Sequence, residues 1–173
     1  SLLLNVIPER VHALTEDVSS TYFLMARGQS PDGLSTQACE MTKWFDTNYH
    51  YIVPELSEFQ KFELHSSNLI KQIKQAQSLG HRVKPVIIGP LTYLWLSKIE
   101  NNADKLSLLD NLIPVYQQLL KEIKSLGVRW IQIDEPILGL ELPKDWQPVF
   151  KSVYDSLQLN DLKILLEDCL TAI

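Results

Sequence analysis

The chain has 173 residues, 45% apolar and 21% charged, with a net charge of -5. That length suits one domain over residues 1–173 with a sizeable core. The negative balance argues against a nucleic-acid partner, which needs a basic stripe, and no apolar run approaches membrane-spanning length. Leu2–Leu4 is soon followed by Glu9, Arg10, Glu16 and Asp17, and no basic n-region with a cleavage site is visible, so a secretory signal is not expected. Cys39 and Cys169 lie far apart, without CxxC or His spacing. They read as free thiols in a cytoplasmic protein.

Met41–Glu55, MTKWFDTNYHYIVPE, comes first along the chain. Its aromatic and β-branched residues favour a strand, and Asp46, Thr47 and Asn48 favour a turn. Such a strand running into a polar, aromatic mouth suits a ligand site; the plainer reading is a buried strand and an ordinary loop. Phe59–Leu64 is the next expected strand. Ser66 or Ser67 then caps a helix whose face carries Leu69, Ile70, Ile73, Ala76 and Leu79, closed by Gly80. Arg82–Gly89 (RVKPVIIG) reads as a buried strand. A helix is expected over Asp104–Leu126, kinked at Pro114 and closed by Gly127. Arg129–Asp134 is a strand, and a shorter helix follows with Trp146, Val149, Phe150, Val153 and Leu157 on one face. Leu162–Leu166 is the last strand.

Two units match closely. Ser78-Leu79-Gly80 precedes Arg82 and a strand ending Gly89-Pro90, while Ser125-Leu126-Gly127 precedes Arg129 and a strand ending Glu135-Pro136. The repetition predicts right-handed βαβ units on a parallel sheet. No Gly-rich phosphate loop follows the first strand, which disfavours a doubly wound fold. The expected fold class is therefore α/β, a partial (β/α)8 TIM-type barrel with about four parallel strands, since a full barrel takes about 250 residues.

Asp134 and Glu135 sit where a parallel strand ends, the place where barrel enzymes collect functional groups. Alternation puts Trp130, Gln132 and Asp134 on one face, expected to look toward the axis or mouth, and Ile131, Ile133 and Glu135 on the other. Either acid could bond a ligand or orient a loop; either could equally form a strand-end turn or pair with a nearby cation. A glycosidase would need a second strand-end acid, yet the preceding strand offers Gly89 and Pro90, leaving Glu167 and Asp168 as weak substitutes. His12, His50, His65 and His81 share no ligand spacing, and no metal site is expected. His50 alone lies in a candidate mouth. Lys43, flanked by Trp44 and Phe45, is a solvated lysine, a snorkelling one or an anion contact.

MTKWFDTNYHYIVPE, VKPVIIGPLTYLWLSK (Val83–Lys98), LLDNLIPVYQQLL (Leu108–Leu120) and WIQIDEPILGLELP (Trp130–Pro143) together resemble the N-terminal half of cobalamin-independent methionine synthase. The resemblance runs from about Ser1 to Leu166. It implies two facing (β/α)8 barrels, zinc in the C-terminal one, and methyl transfer from 5-methyltetrahydropteroyl-polyglutamate to homocysteine. It also implies that Lys43 contacts the anionic folate tail; His50, Asp134 and Glu135 remain mouth candidates without an inherited role, and no catalytic residue is carried over.

Nothing in this chain matches the family's zinc or homocysteine ligands, and Glu167–Ile173 replaces the Thr-rich turn usual in the family. The expectation is thus an incomplete N-terminal-type barrel without a cofactor, inactive alone, with weak or absent affinity for the polyglutamate tail. The competing expectation is a vestigial or assembly module that forms a homo-oligomer through exposed barrel edges. Another barrel enzyme using Asp134 and Glu135 comes third.

Overall fold

The computed structural model describes residues 1–168, so Cys169 and the rest of the expected C-terminal departure lie outside it. After a 3-10 turn at Leu2–Leu4 come α1 (Glu9–His12) and α2 (Val18–Arg27). Asp17 caps α2 by accepting from the Ser20 amide at 2.7 Å. A short hairpin follows, β1 (Met41–Lys43) and β2 (His50–Ile52), then β3 (Glu55–Leu56) and α3 (Ser67–Ser78). The remaining elements are β4 (Val86–Ile88), α4 (Pro90–Leu96), β5 (Lys98–Ile99), α5 (Leu109–Ser125), β6 (Trp130–Asp134), α6 (Gln147–Leu157) and β7 (Lys163–Glu167).

The architecture is mixed α/β with small parallel sheets. β6 is the centre of a three-stranded sheet in the order β4-β6-β7, parallel throughout. β3 and β5 form a two-stranded parallel pair, and β1 and β2 an antiparallel one. The expected repeat is present: Gly80 and Gly127 both close a helix with positive φ, at 84° and 76°. Glycine carries no Cβ penalty there. On one side of the large sheet Ile87, Ile131 and Ile133 are buried together with Leu91 and Leu94 of α4, Leu119, Leu120 and Ile123 of α5, and Val153 and Leu157 of α6. The other side is open. It carries Val86, Ile88, Trp130 and Leu165, which are 51%, 42%, 46% and 38% exposed.

Several expectations are corrected. Phe59–Leu64 is not a strand: its chain makes only two bonds to the N-terminal turn, from Glu63 N–H to the Leu4 carbonyl (3.2 Å) and His65 N–H to that of Leu3 (2.8 Å). A 3-10 turn offers too short a ladder for a strand, and Glu55–Leu56 pairs with β5 instead. The strand expected from Arg82 begins only at Val86, since Pro85 has no N–H and enters the sheet as an acceptor from the Gln132 amide (2.9 Å). The long helix starts as a 3-10 turn, Lys105–Leu108, and α5 then runs through Pro114 as one element. Three strands rather than four share the large sheet, and no closed barrel is formed among the described residues. No helix among them is long and apolar enough to cross a membrane.

Candidate functional site

The site is built around the hairpin. Thr47 turns the chain by donating its hydroxyl to the Trp44 carbonyl (2.6 Å) and accepting from the Tyr49 amide (3.1 Å). The Trp44 amide donates to the Tyr49 carbonyl at 2.7 Å, closing the loop. Phe45 is held at φ 47°, a conformation costly for a residue with a Cβ. Lys43 and His50 are direct cross-strand partners, and both are exposed. Lys43 makes no ion pair or hydrogen bond among the described residues, whose ion pairs join Arg10 to Glu55, Lys98 to Glu40 and Lys151 to Asp155.

One hydrogen bond ties the hairpin to α4, and a second contact holds the strand that follows it. The Tyr51 hydroxyl donates to the Leu96 carbonyl at the end of α4 (3.3 Å). Below it, Arg10 forks onto both Glu55 oxygens at 2.7 Å each, and its Nε donates to the Gln37 carbonyl at 2.9 Å. This bidentate bond raises the Arg10 pKa and lowers that of Glu55. Burial, and then the Glu55 charge, push the neighbouring Cys39 thiol up to about 11, so it is an inert packed thiol rather than a nucleophile.

Between the hairpin, α2, α4 and the N-terminal turn lies a cavity of about 460 Å³. Its walls include Tyr22, Trp44, Tyr51 and Tyr93, with His50 at one side and Ile88, the last residue of β4, at another. The hairpin therefore overhangs the C-terminal end of the parallel sheet.

Asp134 and Glu135 part company at that end. Asp134 is on the open side, aligned with Ile88 and Glu167 of the neighbouring strands, and accepts from Gln132 Nε2 at 2.8 Å. Gln132 in turn accepts from Lys84 Nζ. Glu135, expected at the mouth, is instead 0% exposed. Its carboxylate accepts from the Leu91 amide (3.1 Å), the Thr92 amide (2.7 Å) and the Tyr154 hydroxyl (2.7 Å). Strand alternation turns it to the helix side, where it meets the free amides at the start of α4. Burial raises the Glu135 pKa against the opposite pull of these donors, and raises that of Tyr154 as well. A polar atom so enclosed reaches no solvent-borne ligand.

Sequence reasoning missed this bond and the Arg10 clamp. The first had a signal in Gly89-Pro90, where a proline at the first helical position announces amides that need an acceptor. The second joins residues 45 apart in sequence, and no local pattern marks it. Among the described residues, no group of three or more His, Cys, Asp or Glu could hold a metal ion.

The sequence model of the family described as "Cobalamin-independent synthase, N-terminal domain" matches residues 1–171. The chain is 53% identical over 161 residues to the 5-methyltetrahydropteroyltriglutamate--homocysteine methyltransferase of Coxiella burnetii (strain RSA 493 / Nine Mile phase I), covering 92% of this chain and 21% of that protein. It is 49% identical over 168 residues to the protein of the same name from Serratia proteamaculans (strain 568), covering 96% and 22% respectively. The chain thus spans about a fifth of the length of these curated relatives.

Proposed function

The chain belongs to the cobalamin-independent synthase family, in its N-terminal domain, and from that membership we propose that it supplies part of the binding site for the polyglutamate tail of a 5-methyltetrahydropteroyl substrate. The observation that carries this reading is Lys43: an exposed cation without an acidic partner among the described residues, beside His50 on a hairpin over the strand ends. A chain of carboxylates needs such a cation. The test is calorimetric titration with the triglutamate substrate. Lys43→Ala is expected to weaken binding about tenfold or more, the worth of one hydrogen bond to a charged group. Equal affinities for parent and variant contradict the assignment.

The reaction of the whole family protein, on this reading, is methyl transfer to homocysteine. This chain contributes binding only, and by itself is expected to release no methionine when supplied with zinc and both substrates. Measurable product would overturn that. The location proposed is cytoplasmic, in keeping with the buried free thiol of Cys39; its recovery from the secreted fraction would contradict this.

We read the three-stranded sheet as an arc of a (β/α)8 barrel. The support is its open side, since parallel sheets are covered on both faces. In a barrel that side becomes the interior, with Trp130, Gln132 and Asp134 facing the axis. The same exposed Val86, Ile88, Trp130 and Leu165 favour a second reading, a non-catalytic assembly module that pairs with a copy of itself. Light scattering at micromolar concentration is then expected to give twice the monomer mass. A monomer across that range contradicts self-pairing.

A further inference from the structure

We propose that Lys105 is an acylation site, taking a small acyl group from a thioester in the pocket between the end of α4 and the start of α6. The pocket holds about 350 Å³ and is lined by Trp95, Ala103, Asp104, Lys105 and Trp146. It shares no lining residue with the cavity under the hairpin. Its volume lies at the small end of the range for ligand pockets. The Trp95 ring stands edge-on to the buried Trp146 ring, with centroids 5.0 Å apart. Such walls are apolar and suit a methyl or short alkyl group.

Lys105 is half-buried at the start of the 3-10 turn that precedes α5. Its Nζ donates to the Trp95 carbonyl at 2.8 Å. One donated proton fixes the nitrogen and leaves the lone pair of the neutral amine free to attack.

No carboxylate holds Lys105 in its charged form. It belongs to none of the ion pairs among the described residues. Asp104 beside it accepts from the Leu106 amide at 2.9 Å and caps the turn. Burial lowers the Lys105 pKa, so a larger share of it is the neutral nucleophile than for an exposed lysine. The Asp104 carboxylate on the wall disfavours an anionic donor such as an acyl phosphate and favours an uncharged thioester.

In the transfer, Nζ attacks the thioester carbonyl carbon. The C–N bond forms as the C–S bond breaks, and the thiolate leaves with the bonding pair. The proton lost by the nitrogen passes to that thiolate. The amide produced has no positive charge but keeps one N–H for the Trp95 carbonyl.

The test is incubation of the chain with the acetyl thioester of N-acetylcysteamine at about pH 8, where an exposed lysine is almost wholly charged. Peptide mass spectrometry then follows acetylation at each lysine. Lys105 is expected to react about threefold faster or more than the exposed Lys121 of α5, and its rate to level off at a lower pH. Ala103→Leu fills the pocket from a half-exposed wall position and is expected to close the gap between the two lysines, with the circular dichroism spectrum retained. Lys105 reacting no faster than Lys121, or with the same pH profile, overturns the site. A Lys105 rate that Ala103→Leu leaves unchanged overturns its placement in the pocket.

Discussion

Gly89→Ala is expected to cost the fold about 3 kcal/mol or more, combining overpacking with lost buried hydrogen bonds. A Cβ at this position would lie 2.1 Å from Glu135 Cδ and 2.2 Å from its Oε1, far inside contact distance. The far end of a flexible side chain normally swings aside at little cost. This one cannot, because the Leu91 and Thr92 amides and the Tyr154 hydroxyl hold it on three sides. Either the methyl displaces the carboxylate and strands three buried donors, or α4 lifts off the strand end. Urea denaturation of the variant gives the cost directly. A double-mutant cycle with Glu135→Ala shows whether the clash is the cause, since truncating Glu135 removes the obstacle. Costs that simply add, or a Gly89→Ala cost under 1 kcal/mol, contradict the account.

Glu135→Ala is expected to lose about 3 kcal/mol by itself, from unpaired donors and the space left behind. Glu135→Gln isolates the charge. A carboxyl whose folded pKa is raised binds its proton more readily in the native state. Its stabilising contribution is complete below the ordinary carboxylate range and is lost as pH rises through the raised folded value. The stabilities of parent and Glu135→Gln are therefore expected to be similar in acid. Their difference then moves in favour of the glutamine as pH passes upward through that window. A difference moving toward the parent means that the three donors outweigh desolvation. Measuring the difference between the two proteins cancels the titration of groups that they share.

Local periodicity showed the helices around α3, α5 and α6, and the repeated Ser-Leu-Gly closures showed that the strands between them run parallel. Those signals are local: a glycine with positive φ ends a helix whatever lies across the sheet. The failures come from partners remote in sequence. Phe59–Leu64 has strand-like residues but faces a 3-10 turn at Leu3 and Leu4, which gives it no ladder. Trp130, Gln132 and Asp134 share a face as expected, because strand alternation fixes it. The same alternation assigned Glu135 to the face of Ile131 and Ile133, yet its polarity suggested a mouth. Polarity misleads where a helix start brings its own donors.

At the site, Lys43 and His50 were visible as residue types, and their pairing was not. Asp46, Thr47 and Asn48 marked a turn, while the antiparallel return of His50–Ile52 onto Met41–Lys43 depends on register. The cavity was invisible for the same reason. Its walls come from residues as distant as Tyr22 and Tyr93, and only the folded chain brings them together.

On the proposed function, the hairpin cation Lys43 reads the number of carboxylates on a ligand tail. The most direct measurement is the ratio of affinities for the triglutamate and monoglutamate forms of the 5-methyltetrahydropteroyl substrate, in the parent chain and in Lys43→Ala. The account predicts tighter binding of the triglutamate form by the parent, with the ratio falling toward one in the variant and sensitivity to added salt falling with it. A ratio unchanged by Lys43→Ala contradicts it.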